Sequence, residues 1–218
     1  MNKQEILDAF MFRHACKEFD PERKIPDEDF RFILETGRLS PSSFGLEPWK
    51  FLIVQDRALR EKLKEGAWGA TAKLDAASHF IVILTMKEPL MKYGSEYLND
   101  FMARVQKWQG EGLENRKKMY ENFQTVDFDL NNEEKIFEWA SRQSYIALAN
   151  MLTASAMIGI DSCPIEGFNR KVTESVLRED FGINTEEYGI ACMAAFGYRI
   201  KQPRPKTRRS FDEVVIIK

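Results

Sequence analysis

The sequence predicts an α+β protein in which helices cover a small sheet. Three observations carry this. Short β-branched or uniformly apolar runs are few, and helical patterns separate them. One helical pattern, residues 131–159, is far longer than the rest, and its second half is apolar or small nearly all round, as in a buried central helix. The chain closes on a proline-punctuated basic arm ending in "EVVIIK", a β-run that needs a sheet edge to pair with.

Taken in order, "KQEILDAFMF" puts Ile6 and Phe10 on one helical face. "PDEDFRFILETGRLS" is a second helix, with Asp27 as its cap and Phe30, Ile33, Leu34 and Gly37 on one stripe. "SPSSFGLEPW" is a loop by its Pro, Ser and Gly content. "KFLIVQD" is a short buried strand, "RALREKLKEGAW" an amphipathic helix, and "ATAKLDAAS" a helix that feeds the strand "HFIVILTM". Residues 92–127 read as broken, aromatic-rich helix. The long helix begins at Asn131 or Asn132, has Glu133 and Glu134 at its positive end, and stops at Gly159. "NRKVTESVLREDFG" is a helix ended by Gly182, and "YGIACMAAFGYRI" is too apolar to alternate, hence an internal strand.

Composition bounds the function. With 218 residues, 44% hydrophobic and 30% charged, the chain can bury a sizeable core, and no linker divides 1–218 into more than one domain. A net charge of -2 gives no electrostatic case for nucleic acid or an anionic membrane. The charged N-terminus lacks the apolar core of a signal peptide, and no run reaches the roughly 18 apolar residues of a spanning helix. Cys16, Cys163 and Cys192 are scattered and odd in number, which suits reduced thiols in a cytoplasm.

Several chemistries lack material. There is no Gly-x-Gly-x-x-Gly after a strand and no Walker A loop. His14 and His79 are the only histidines, too few for a histidine metal site or a Ser-His-acid triad. Hard chemistry would therefore belong to a cofactor. Three stretches look ready for a ligand. "RHACK" sets Arg13, His14 and Lys17 after the first helix, either as favourable charges at its negative end or as an anion site. "RPKTRRS" adds Lys206, Arg208 and Arg209, so two basic loops could share one phosphate. "SPSSFGLEPW" offers the Ser42 and Ser43 hydroxyls between prolines. A fourth stretch, "DSCPIEGF", holds a lone acid, Glu166, with no base beside it.

Together "RHACKEFD", "RLSPSSFGLEPWKF", "KLDAASHF", "RQSYIALANM", "DSCPIEGF" and "RPKTRRS" resemble, in order and spacing, the signature segments of the nitroreductase family. The closest likeness is to its oxygen-insensitive NAD(P)H nitroreductase and dihydropteridine reductase branch, and it runs from residue 6 to 217. The resemblance implies a small, mainly antiparallel sheet flanked by helices, with a C-terminal strand exchanged with the partner of a homodimer. It implies FMN at the subunit interface and NADH or NADPH as donor. Arg13, His14, Lys206 and Arg208 would then sit at the phosphate and ribityl end. Ala15 would contact the flavin through its backbone, and Lys17 and Lys73 would lie by the pyrimidine. Ser42 would come from the partner subunit, Gln143 would reach the ribityl chain or pyrimidine, and Pro164, Ile165, Glu166 and Gly167 would pack along the ring. In the family the acid's backbone N–H, not its carboxylate, bonds flavin N5. Catalytic roles would fall on Glu166, Lys17 and Lys73, and a substrate pocket on Phe44, Tyr120 and Phe123. The reaction would be a ping-pong transfer of two electrons to a small nitroaromatic or quinone. A dihydropteridine or quinone reductase, or a flavin-binding protein without turnover, are the alternatives. The chain departs from the family at Ala70, where a methyl stands in place of a common Asn.

Overall fold

The computed structural model describes residues 2–218. Its four strands are β1 (Trp49–Ile53), β2 (His79–Met86), β3 (Asp161–Ile165) and β4 (Tyr188–Gly197), in one antiparallel sheet ordered β1-β2-β4-β3. The central strands β2 and β4 are buried along their whole length, which is why their sequences do not alternate. Their side chains still part to two faces. Ile81 and Ile83 join Cys192, Ala194 and Phe196 in one core, while Phe80, Val82 and Leu84 join Met193 and Ala195 in the other. The register slips between Ile83 and Leu84, so Ala191 of β4 is left over as a β-bulge.

Helices cover both faces. They are α1 (Lys3–Phe12), α2 (Asp27–Arg38), α3 (Arg57–Leu63), α4 (Thr71–Ala76), α5 (Glu88–Met91), α6 (Glu96–Asp100), α7 (Gly110–Asn122), α8 (Glu133–Met157), α9 (Arg170–Glu179) and α10 (Phe211–Val214). The long helix α8 starts on Asn132, whose side chain accepts from the Lys135 N–H, and Gly159 follows its end with φ +74°. It lies close to α2 because Gly37 leaves room: a Cβ there would come 2.8 Å from Met151 Sδ. No helix among the described residues is long and apolar enough to cross a membrane.

One local expectation changes, and three other segments gain detail. Pro26, not Asp27, precedes the first turn of α2, and Asp27, Glu28 and Asp29 fill that turn as favourable charges. "DSCPI" is a strand, held by pairing with β4 in spite of its aspartate and proline. The breaks in residues 92–127 include two π-helical turns, Phe101–Val105 and Phe123–Asp127, closed by Gln106 N–H to the Phe101 carbonyl and Phe128 N–H to the Phe123 carbonyl. The "EVVIIK" run pairs with no strand of its own chain. Glu213 caps back to Ser210 and draws Val214 into the single turn α10, and Val215 to Lys218 follow in an irregular, exposed path.

Candidate active site at the free edge of β3

The site grows from the parity of an edge strand. The Ser162 carbonyl of β3 points away from β4 and accepts the Cys16 N–H at 3.0 Å, with Ala15 bridged beside it. Residues of the same parity, Pro164 and then Glu166, face the same free edge. Pro164 has no N–H to offer there, which suits an edge. The Glu166 N–H comes next, and neither it nor the Gly167 N–H finds an acceptor among the described residues. Beyond them a backbone clasp fixes the loop: Gly69 N–H donates to the Gly167 carbonyl at 2.7 Å, and a Cβ on Gly167 would meet Gly69 Cα at 2.8 Å. The indole of Trp68 lies against Gly167, and its side chain is 75% exposed.

Cations gather at this edge. Lys17, Lys73 and Arg13 all act on the Cys163 thiol: burial pushes its pKa up, and these three charges oppose the rise. Lys73 Nζ donates only to the Gly69 carbonyl, at 3.0 Å. Lys206 reaches from the C-terminal arm to the Phe10 carbonyl at 2.7 Å and to the Arg13 carbonyl, so this distant lysine caps α1. Burial, then Arg13 and Arg208, lower the Lys206 pKa, which places three cations within Coulombic reach. Arg208 spends one donor on the Thr207 carbonyl at 2.6 Å. Among the described residues none of Arg13, Lys17, Lys73, Lys206 and Arg208 has a carboxylate within 4.0 Å.

What holds "RHACK" against β3 was not visible in the sequence. Asp161, 4% exposed, accepts Arg199 Nε at 2.8 Å and the Arg199 N–H at 2.8 Å, and its Oδ1 lies 2.6 Å from Arg199 Nη2. Arg199 also stacks over the Phe12 ring, and His14 Nδ1 lies 3.6 Å from the same carboxylate. Burial and then Arg199 lower the His14 pKa, which keeps the ring neutral. The only hint in the sequence was an aspartate at the start of an apolar segment.

The remaining expected residues assemble elsewhere. The Ser43 N–H donates to Gln143 Oε1 at 2.9 Å, and Ser42 Oγ accepts the Glu47 N–H at 2.9 Å. Phe44, at φ 57°, carries strain that its neighbours hold: Arg116 Nη2 and Gln106 Nε2 both donate to its carbonyl, at 2.7 and 2.8 Å. Its ring packs on Tyr120 and Phe123. Tyr120 is enclosed at 1% exposure with its hydroxyl on the Met91 carbonyl, so within one chain it is core; Phe44 and Phe123 keep some surface. Ala70 is buried and offers only a methyl.

These are two clusters, and no hydrogen bond or ring contact joins them among the described residues. One helix serves both. Gln143 and Tyr145 of α8 are two positions apart, roughly 200° around the axis. Gln143 serves the serine loop, and Tyr145 donates to Glu166 Oε1 at 2.5 Å. The edge cluster offers a free N–H donor pair beside cations that have no carboxylate partner among the described residues. Its donor set fits a flat ligand with acceptor nitrogens and an anionic tail.

The model of the Nitroreductase family matches residues 10–198. YfkO of Bacillus subtilis strain 168, whose name gives it provisionally as an NAD(P)H nitroreductase, is 49% identical over 214 residues, covering 98% of this chain and 97% of that protein. A nitroreductase-like protein of Streptococcus mutans superposes with a TM-score of 0.80 at 19% identity, covering 100% of both chains. A chain from Exiguobacterium sibiricum, solved in complex with FMN, gives a TM-score of 0.74 at 20% identity over 100% of this chain and 98% of that one. With the family model spanning the sheet, α8 and the free edge of β3, the chain belongs to the nitroreductase family.

Proposed function

We propose that residues 1–218 form one FMN-binding domain of a cytoplasmic NAD(P)H oxidoreductase. It works as a homodimer and passes two electrons from NADH or NADPH to nitroaromatic or quinone acceptors. The observation that carries this is the free Glu166 N–H at an open sheet edge, on a strand whose Cys163 is acted on by three cations without carboxylates. FMN, when bound, supplies the two-electron carrier. Arg13, Lys206 and Arg208 hold its phosphate. The Glu166 N–H donates to a ring nitrogen while Pro164, Ile165 and Gly167 pack along the ring. Lys17 and Lys73 keep positive charge fixed where negative charge develops, in the manner of a preorganised oxyanion site. Donor and acceptor occupy the same open face in turn, which gives a ping-pong order. Phe44 and Phe123 line the acceptor side.

The two clusters on α8 support a site built from two copies, with Ser42 and Gln143 supplied by the partner. Exposed apolar residues support the dimer: Leu7, Phe10 and Met11 on α1, Ile146 on α8, and Ile216 and Ile217 on the arm. A yellow preparation that bleaches anaerobically on adding NADH or NADPH, and recovers its colour with a nitroaromatic or quinone, supports the enzyme. Colour without bleaching would leave only a flavin-binding protein. A chain that takes up no FMN would overturn the proposal.

A further inference from the structure

Lys17 and Lys73 act on the Cys163 thiol, three residues before Glu166, yet the Glu166 carboxylate pairs with neither. Lys73 is bonded to Gly69, Gly69 to Gly167, and Gly167 follows Glu166, so the ammonium lies within a short chain of contacts of this acid. A free carboxylate so close to unpaired cations would be drawn to them. Instead it is turned to the opposite side of β3, onto α8, where the Tyr145 hydroxyl donates to Oε1 at 2.5 Å. The same hydroxyl lies 3.3 Å from the carbonyl of Ala191, the residue left over at the bulge of β4. The bulge and the tyrosine thus meet where β3 ends. The surrounding groove, about 450 Å³, is lined by Leu148, Leu152, Pro164, Ile165 and the Cys192 thiol, so among the described residues Tyr145 brings the one hydroxyl there for the acid to meet.

We propose that Tyr145 is a positioning residue that latches the Glu166 carboxylate onto α8, so that Lys17 and Lys73 stay unneutralised and the Glu166 N–H stays turned to the free edge of β3. The latch explains why this acid is tolerated beside cations that have no carboxylate partner: its charge is parked away from them. The residue acts through Glu166 and touches no ligand. The inference rests on the FMN reading only for the use to which the freed cations are put.

The test is Tyr145→Phe, which keeps the ring and removes the hydroxyl, alone and combined with Glu166→Gln. With the latch gone, FMN affinity measured by fluorescence falls roughly tenfold, the worth of a charge-assisted contact. Glu166→Gln in the Tyr145→Phe background restores most of it, because a neutral amide cannot neutralise the lysines. A packing role for Tyr145 would give a loss that the second substitution leaves in place, and that result, or unchanged affinity in Tyr145→Phe, overturns the proposal. If the parent chain takes up no FMN, the crystal structure of cofactor-free Tyr145→Phe decides. Glu166 within 4 Å of Lys17 or Lys73 supports the latch, and a carboxylate still lying on α8 refutes it.

Discussion

Replacing Asp161 by Asn tests the frame that carries the edge cluster. The carboxylate is 4% exposed, and three donors of Arg199 converge on it within 2.6–2.8 Å. Removing one partner of a buried pair costs about 3–5 kcal/mol, because the other charge is left without compensation. Arg199 would keep the Phe12 carbonyl at 3.3 Å and the Phe12 ring at 4.1 Å, contacts that retain about 1 kcal/mol. The net loss should therefore lie near the low end, about 3 kcal/mol. For a chain of this size that lowers the melting midpoint by roughly 6–12 °C. The loss should also reach function, since Asp161 opens β3 and sits 3.6 Å from His14, beside the Arg13–Lys17 segment. Thermal unfolding of Asp161→Asn, followed by circular dichroism with and without FMN, measures both. Exchanging the pair together, Asp161→Leu with Arg199→Met, should recover part of the stability because no lone charge remains buried. A single variant within about 1 kcal/mol of the parent would refute the assignment of this pair as the brace of the site.

Arg208→Ala and Arg13→Ala should each weaken FMN binding by roughly tenfold or more, since a charge-assisted phosphate bond contributes about 1.5–3 kcal/mol; unchanged affinity in both, by fluorescence titration, would remove the phosphate from this corner. His79 is stacked on Phe30 at 3.8 Å, and burial, then Arg60, lowers its pKa from 6.5 to about 4. A folded value below the unfolded one means stability that is full above about pH 6.5 and lost as pH falls towards 4, about 3 kcal/mol in all; urea titrations of His79→Gln should show a flatter slope across that window, and an unaltered slope would reassign it. Deleting Phe211–Lys218 removes the exposed apolar end of the arm while keeping Lys206 and Arg208. Light scattering should then report weaker association together with flavin loss, and a truncated dimer with full flavin content would show the arm to be dispensable.

Much of this architecture was legible because apolar runs have few ways to be buried. β2 and β4 announced themselves as uniformly apolar strands, and α8 as a helix too apolar to have a solvent face. β3 did not, since five residues with an aspartate and a proline carry no strand signal; only the neighbouring β4 makes them one. The same proline is informative in hindsight. On an edge, at the outward parity, it costs no ladder bond, and it leaves the Glu166 N–H as the next donor along a free rim.

The Asp161–Arg199 pair and the Tyr145–Glu166 bond span 38 and 21 residues, and nothing in local pattern marks such pairs. The carboxylates of both pairs belong to the segment that looked most idle in the sequence, an acid at each end of "DSCPIE". Neither has a base to activate. Asp161 neutralises Arg199 and thereby fixes the start of β3, and Glu166 is drawn onto α8 at its end. With both acids engaged elsewhere, the cations along the free rim remain without carboxylates, in a chain whose net charge is -2. Local positive character at this edge therefore follows from where two acids are tied, as much as from where the lysines and arginines lie.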